Sequence, residues 1–398
     1  MLKTLTLGTA FAALVAGGAF AADINVKLGV LNDRSGVYSD IAGEGSVIAT
    51  RMAVEDFKAA EKGLNVEIVS TDHQNKPDVG SNIARQWYDQ DGVTAIIDVP
   101  TSSVALAVAE ITAQANGVFL VSGAGATGLT REQCRPTTVH WTYDTAALAN
   151  GTGKAVTMAG GKKWFFLTAD YAFGHSLQDN TSKVVEANGG EVVGSVNVPF
   201  PATDFSSFLL QAQGSGADVI GLANAGGDTI NAIKQAAEFG ITQAGQKLAG
   251  LLIFVNDVHA LGAQTAQGLQ MTGAFYWDRD DATRAFSERY EAERGAKPNM
   301  ITAGVYGAVM HYLAGVEATG TTEGDKVTAW MKANPADDKL FGKVTVRGDG
   351  RAIHDMYLFE VKKPEESTGE WDLLKTVSAI SGEDAFLPML PECDFSAK

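Results

Sequence analysis

Hydroxyl side chains follow one apolar stretch of the sequence, at the point where a helix is expected to begin. The segment 100–103, Pro-Thr-Ser-Ser, comes directly after the apolar run 93–99. Hydroxyl and backbone N–H donors at a helix start converge with the positive end of the helix dipole, an arrangement that binds carboxylates. Alternatively, Thr101 or Ser102 only caps the helix. We predict a carboxylate site, because the loop 122–127, which follows the next apolar run, is expected to lie opposite.

Two later loops carry side chains suited to holding the rest of a small ligand. Tyr171 and Phe173 lie in the segment TADYAFGH, and their rings could stack on a planar ligand or close over an apolar one. Their alternative role is to pack a helix onto the sheet. Asn224 and Asp228 flank two glycines that allow close backbone approach, although Asp228 could instead cap the following helix.

No set of residues predicts catalysis or a bound cofactor. The segment 123–128, GAGATG, matches the dinucleotide fingerprint, but it continues as LTREQCRP rather than as a long amphipathic helix. The six histidines lack metal-ligand spacing, and there is no nucleophile elbow or phosphate loop. We therefore expect no enzyme activity, no metal and no cofactor. The rival class is a secreted hydrolase that would pair Ser102 with His73 or His175.

Alternating strand and helix signals must position these loops. Period-two and short apolar runs alternate with helical stripes, which predicts an α/β chain with two doubly wound parallel sheets and ligand loops at the carboxyl ends of the strands. The predicted strands are 24–30, 66–69, 93–99, 118–121, 164–167, 192–198, 219–222, 248–254, 269–275, 343–346 and 356–361.

The amino-terminal residues predict export. Lys3 precedes a small-apolar stretch, 5–20, that ends in Ala19-Phe20-Ala21, the pattern of a cleaved signal peptide spanning residues 1–21. The alternative is an uncleaved anchor. About 377 residues would remain, which exceeds the usual size of one core and predicts two domains. The net charge of −16 argues against nucleic acid or anionic lipid as a partner.

Cys134 and Cys393 are the two cysteines of the chain, and each lies close to a proline in a loop-like stretch. In an exported protein such a pair predicts a disulfide. The bond would fasten the end of the chain, 391–398, to its first half. Two free thiols are the alternative.

The chain resembles the periplasmic binding proteins of the leucine/isoleucine/valine type, the receptors of ABC importers. The resemblance runs in order through VKLGVLNDRSGVYSDIAG, VEIVSTDHQNKP, VTAIIDVPTSS, VFLVSGAGAT, WFFLTADYAFGHSL and VIGLANAGGDTINAIKQAAEFGI. It implies a periplasmic receptor with two Rossmann-like lobes joined by three crossings, a small-molecule ligand between them, and a membrane permease as partner. We expect a monomer.

The same resemblance assigns residues to the ligand. It implies carboxylate contacts from Thr101, Ser102 and the loop Ala124-Gly125-Ala126-Thr127, a lid ring from Tyr38, and second-lobe rings from Phe173 and Tyr171. We predict lobe 1 as 22–141 with 276–355, and lobe 2 as 142–275 with 356–390.

One departure from this family pattern bears on the ligand. Amino-acid receptors hold the ammonium with an acidic residue after a second-lobe strand, where this chain has the apolar run 251–254. An unpaired ammonium there would lose several kcal/mol of solvation. We therefore predict an aromatic carboxylate of the benzoate or hydroxycinnamate type. The alternatives are a branched-chain amino acid or an amide, with Asp257 or Asp228 supplying the charge, and a sensor role in place of transport.

Overall fold

The computed structural model describes residues 24–396. The predicted signal peptide lies outside the described residues, as do the last two residues of the predicted tail. In the part that is described, no helix is both long and apolar enough to cross a bilayer.

The first lobe is built on a five-stranded parallel sheet of order β2-β1-β3-β4-β5. Its central strands are almost wholly buried because helices cover both faces. The strands are β1 Ile24–Asn32, β2 Leu64–Asp72, β3 Ala95–Asp98, β4 Val118–Val121 and β5 Thr138–His140. The helices between them are α1 Gly43–Phe57, α2 Pro77–Gln86 and α3 Ser102–Gln114.

The second lobe repeats this plan with a four-stranded parallel sheet of order β7-β6-β8-β9. Short helices α4 Thr145–Leu148 and α5 Lys154–Met158 lead into it. The strands are β6 Lys163–Ala169, β7 Glu191–Val198, β8 Val219–Ala223 and β9 Lys247–Gly250. The helices are α6 Ala172–Ala187, α7 Ser206–Gly214, α8 Gly227–Glu238, α9 Val255–Leu261 and α10 Ala263–Ala266.

The closing part of the chain contributes to both lobes. Helices α11 Asp281–Arg294 and α12 Met300–Thr319 pack on α1, and α13 Gly324–Ala333 packs on α12. Strand β10 Gln270–Gly273 joins the antiparallel sheet β10-β14-β15, with β14 Met356–Val361 and β15 Leu374–Ile380. A second small antiparallel sheet holds β11 Ala336–Asp338, β12 Gly342–Val346 and β13 Ala352–Ile353, and α14 Gly382–Ala385 follows β15.

The predicted alternation and both parallel sheets are confirmed, but one strand prediction is wrong in a place that concerns the ligand. Strand β9 ends at Gly250, so residues 251–254 leave the sheet and form a buried loop. The loop ends where the backbone N–H of Phe254 donates to the Asp257 carboxylate at 2.9 Å, which starts α9. An apolar run predicts burial but does not distinguish a strand from a buried loop.

The predicted disulfide is confirmed. Cys134 and Cys393 are bonded, and their α-carbons lie 5.9 Å apart. The Arg131 guanidinium also donates to the carbonyl of Pro388 at 2.9 Å. The end of the described chain is therefore attached to the loop that follows β4.

Candidate functional site

The carboxyl ends of the two parallel sheets face one crevice, which contains a small cavity of about 10 Å³. The first lobe contributes Tyr38, Ile41, Pro100 and Gly123 to the cavity wall. Tyr143 reaches it from the segment that follows β5. A cavity of this size holds about one water molecule, so a larger ligand would enter the crevice only when the lobes or the rings move apart.

The facing wall is apolar and aromatic. The second lobe contributes Tyr171, Phe173, Ala225 and Leu252. Leu252 belongs to the buried loop after β9, and it is 2% exposed. Among the described residues, no carboxylate lines this wall.

The lobes are closed over the cavity. The hydroxyls of Tyr38 and Tyr171 are hydrogen-bonded at 2.5 Å, and the backbone N–H of Gly227 donates to the carbonyl of Val37 at 3.1 Å. Burial raises the pKa of both phenols, so both stay protonated. These two contacts join the first loop of lobe one to the mouth of lobe two.

Thr101 and Ser102 are both buried, and their hydroxyls form hydrogen bonds with different parts of the first lobe. Neither caps the first turn of α3 through its side chain. The Thr101 hydroxyl donates to the side-chain carbonyl of Asn75, whose amide in turn donates to Asp33 at 2.7 Å. The Ser102 Oγ accepts the backbone N–H groups of Gly125 at 3.3 Å and Ala126 at 3.2 Å. Ser102 thus joins the start of α3 to the loop after β4.

The loop after β4 approaches the cavity with its backbone. Gly123 lines the cavity, and its carbonyl accepts the Tyr143 hydroxyl. A side chain at Gly125 would clash, because a Cβ there would lie 2.9 Å from the Tyr143 ring and 3.0 Å from the Phe173 ring. Ala124 is fully buried, and its carbonyl is hydrogen-bonded to His140 at 2.7 Å. The predicted backbone approach is therefore possible at residues 123–126.

Thr127 lies apart from the cavity. Its backbone N–H and its hydroxyl contact the Ser176 hydroxyl of α6 at 3.3 and 3.2 Å. The Asn180 amide also donates to the Thr127 hydroxyl at 3.3 Å. Thr127 therefore contacts the second lobe, and it lines a separate cleft together with Ser176 and Asn180.

A cluster of rings covers the cavity mouth. Tyr171 stacks on Phe200 with ring centroids 4.2 Å apart, and Tyr38 stacks on the other side of the cluster at 5.6 Å from Phe200. Phe173 lies 6.1 Å from Tyr171. Phe200 and Tyr143 were missed at the sequence level. Phe200 follows β7 at the carboxyl edge of the second sheet, a position that could have identified it.

Asn224 and Asp228 lie behind the wall formed by Ala225. The Asn224 side-chain carbonyl accepts the Thr229 hydroxyl at 2.6 Å, while its amide is buried without a partner among the described residues. Asp228 does not cap α8, because its carboxylate accepts the backbone N–H of Ala202 at 3.2 Å. Burial raises the pKa of Asp228 to about 7.

Asp257, the other acidic residue considered for an ammonium, is turned away from the cavity. Its carboxylate accepts the backbone N–H of Phe254, and it is 1% exposed. Burial raises its pKa to about 7. Asp257 therefore starts α9 rather than lining the ligand site.

The end of β3 is strained next to the hydroxyl segment. Asp98 and Val99 have φ values of +77° and +53°, in the left-handed region that a β-branched residue rarely adopts. One Asp98 oxygen accepts the Ser46 hydroxyl at 2.6 Å and the Asn32 amide at 3.2 Å. Burial raises the pKa of Asp98 to about 6. Such strain is common at binding sites, and Pro100, the next residue, lines the cavity.

The rival catalytic pair is not assembled in residues 24–396. Ser102 hydrogen-bonds to the backbone of the 125–126 loop and to neither histidine. His73 is buried, accepts the Asn75 N–H at 3.0 Å, and has its pKa lowered to about 4 by that burial. His175 is paired with Asp170 at 2.9 Å. Within the same residues, no cluster of side chains has the composition of a metal site.

Residues 25–369 match the family model described as periplasmic binding protein. The chain belongs to this family. A periplasmic binding protein from Burkholderia mallei is 51% identical, with a TM-score of 0.90 over 94% of this chain and 99% of that one. This relationship confirms the predicted fold class of two lobes.

The names of proteins related to this periplasmic binding protein refer to different ligands. A branched-chain amino acid ABC transporter periplasmic ligand-binding protein from Burkholderia xenovorans is 39% identical, with a TM-score of 0.80 over 91% of this chain and 97% of that one. The Leu/Ile/Val-binding protein homolog 6 of Brucella melitensis is 26% identical over 92% of this chain and 95% of its own length.

An R. palustris solute-binding protein in complex with benzoate shares the fold at 22% identity, with a TM-score of 0.81 over 94% of this chain and 99% of that one. The periplasmic binding protein is thus a substrate-binding protein of the Leu/Ile/Val group, as the resemblance implied.

Proposed function

We propose that this receptor binds a small aromatic carboxylate in the crevice and delivers it to the permease of an ABC importer. The observation that carries the proposal is the second-lobe wall, where rings and aliphatic side chains face the cavity without a carboxylate. An aromatic ring gains free energy from burial there, whereas an ammonium would lose solvation without a counter-ion.

The carboxylate of the ligand would lie against the first lobe. There the Ser102 Oγ accepts the N–H groups of Gly125 and Ala126, which leaves the Ser102 hydroxyl proton for a carboxylate. The first turn of α3 adds N–H donors without a side-chain cap and the positive end of the helix dipole. We propose that binding at this nest, defined by Ser102 and the loop 124–126, precedes closure of the ring cluster.

The remaining parts of the proposal concern the cellular role. The receptor would be exported by residues 1–21, act as a monomer in the periplasm, release its ligand unchanged, and be recognised by the permease in its closed form. Closure follows ligand binding because the ligand contacts both lobes only when they are closed. The predicted lobe boundaries, 22–141 with 276–355 and 142–275 with 356–390, belong to the same proposal.

A branched-chain amino acid is the second candidate ligand. The name of the 39%-identical B. xenovorans protein favours it. In this case Asp228, whose charge acts on Tyr38 and Tyr171, would have to turn from Ala202 toward the ligand ammonium. The two candidates therefore differ in whether the ligand needs an amino group.

A ligand series tests this difference on the ligand-free protein. Benzoate, 4-hydroxybenzoate and 4-methylpentanoate, which is leucine without its amino group, are expected to raise the melting temperature, whereas leucine is expected to raise it less than 4-methylpentanoate. Calorimetric titration gives the affinities. A leucine affinity above that of 4-methylpentanoate would refute the aromatic-acid assignment, and conversion of a bound compound to product would refute the receptor role.

Replacing Ser102 by alanine tests the nest. We expect benzoate binding to weaken by about 1 to 3 kcal/mol, because the loop N–H groups lose their hydroxyl partner and the carboxylate loses a donor. Ser103→Ala is the matched control, since Ser103 is the next residue of α3 and does not take part in the hydrogen bonds that join Ser102 to the 125–126 loop. Equal affinities of the two variants in calorimetric titration would remove Ser102 from the site.

A further inference from the structure

A network of hydroxyl and amide groups joins the loop after β4 to α6 of the second lobe. The Thr127 N–H donates to the Ser176 hydroxyl at 3.3 Å, and the two hydroxyls are 3.2 Å apart. The Ser176 hydroxyl is also 2.7 Å from that of Thr145. The Asn180 amide donates to Thr145 at 2.9 Å and to Thr127 at 3.3 Å. Four side chains from three segments are thus joined.

This network is continuous with the nest. Gly125 and Ala126 donate their N–H groups to Ser102, and the carbonyl of Gly125 accepts the Thr145 N–H at 2.8 Å. The loop 125–127 is therefore held by α3 of lobe one on one side and by α4 and α6 on the other. The N–H groups of residues 125 and 126 hold the Ser102 hydroxyl, whose own proton a ligand carboxylate would accept.

The same helix carries a wall of the cavity. α6 begins at Ala172 and places Phe173 against the ligand space, one turn before Ser176. Phe173 is also the ring that lies closest to the position of a Cβ on Gly125 after Tyr143. A rotation of lobe two that brings the Phe173 ring onto the ligand therefore also brings the Ser176 hydroxyl onto Thr127.

Burial makes the network sensitive to the loss of one partner. Thr127 is 9% exposed, Asn180 is 8% exposed and Thr145 is fully buried, whereas Ser176 is half-buried and lines an open cleft with Thr127 and Asn180. In such surroundings a polar group left without a partner costs more than a surface hydrogen bond contributes. Loss of one of the four side chains would therefore make the closed arrangement less favourable.

We propose that Ser176 and Asn180 complete the carboxylate nest from the second lobe by fixing Thr127 and, with it, the N–H groups of residues 125–126. A ligand that docks on the nest in the open form is then held more tightly once closure fixes these N–H groups. Ser176 and Asn180 are positioning residues, since they touch the loop and not the ligand. The proposal rests on the proposed function only in requiring a ligand with a carboxylate, a group that benzoate and leucine share.

The test compares three variants of one helix. Ser176→Ala is expected to weaken binding of benzoate or leucine, whichever binds the wild type more tightly, by about 5- to 20-fold. Ser176→Thr keeps the hydroxyl and should stay within about threefold of the wild type. Ser182→Ala is the control, because the Ser182 hydroxyl donates only to the carbonyl of Gln178 within α6. The loss should appear mainly as faster dissociation in stopped-flow measurements.

Amide hydrogen exchange gives a readout that does not depend on the ligand. Ser176→Ala should speed exchange of the Thr127 amide relative to Ser182→Ala, with similar unfolding midpoints for both variants. Unchanged exchange and an affinity within twofold of Ser182→Ala would overturn the proposal. If neither benzoate nor leucine binds the wild type, the proposed ligand class fails, and the exchange of Thr127 alone decides whether α6 holds the nest.

Discussion

Replacing Leu252 by glutamate is expected to weaken benzoate binding at pH 8 by about 100-fold or more. Leu252 belongs to the apolar second-lobe wall of the cavity. Two unit charges about 6 Å apart repel by roughly 3 kcal/mol at an effective dielectric constant of 20, which corresponds to this factor. Closure would also have to bury the new carboxylate, at a further cost. Calorimetric titration of the variant and the wild type measures the difference.

Leu252→Gln distinguishes the effect of the new charge on benzoate binding from the effect of the side-chain size. Glutamine has nearly the size of glutamate but no charge, so it should weaken benzoate binding much less than glutamate does. The glutamate variant should in turn bind leucine better than 4-methylpentanoate, because an ammonium would find a counter-ion. If glutamate and glutamine have equal effects, or if leucine gains nothing, residue 252 lies too far from the charged groups of the ligand to act on them.

The sequence predicts the two parallel sheets that carry the site, because alternating strand and helix signals and short apolar runs are typical of such sheets. Runs such as 118–121 and 219–222 are buried in the structure as strands β4 and β8. Short apolar segments carry less information at their ends. The run 93–99 includes Val99, which lies in the left-handed region and has already left β3. The run 251–254 is a buried loop, because the Asp257 carboxylate satisfies the Phe254 N–H outside the sheet.

The sequence predicts which loops form the site better than it predicts the hydrogen-bond partners of individual side chains. Tyr38, Tyr171 and Phe173 do line the cavity, because the carboxyl edges of both sheets face the crevice. The hydroxyls of Thr101 and Thr127 instead bond to protein groups, Asn75 and Ser176. Partners of this kind come from other loops, and periodicity along one segment carries no information on them.

Through its contacts with Ser176, Thr127 would couple ligand binding to closure of the lobes. A carboxylate at the nest, the Tyr38–Tyr171 hydrogen bond and the Ser176 network all favour the same closed arrangement. A ligand shifts this equilibrium only by its difference in affinity for the two states. A nest completed by closure supplies such a difference, because the open form would offer the carboxylate less well-ordered donors.

Removing the disulfide is expected to give the largest loss of stability. Cys134 and Cys393 are 259 residues apart, so the bond closes a loop that spans both lobes. The chain-entropy model gives about 5 kcal/mol for a loop of several hundred residues, and native disulfides typically contribute about 2 to 5 kcal/mol. Cys134→Ser with Cys393→Ser should therefore lower the urea midpoint of the ligand-free protein, while benzoate affinity stays unchanged because neither cysteine lines the cavity.

Reduced wild type is the matched control, since dithiothreitol should move its midpoint to that of the double variant. The entropy argument applies in full only if both lobes unfold together with the tail. The tail keeps other contacts, including that of Arg131 with the carbonyl of Pro388, and Cys393 itself is buried. If the tail detaches before the lobes unfold, proteolysis should remove it from the double variant while the midpoint stays near that of the wild type. That result would show that the disulfide only holds the tail in place. A lowered urea midpoint with an intact tail would show that the disulfide stabilises both lobes.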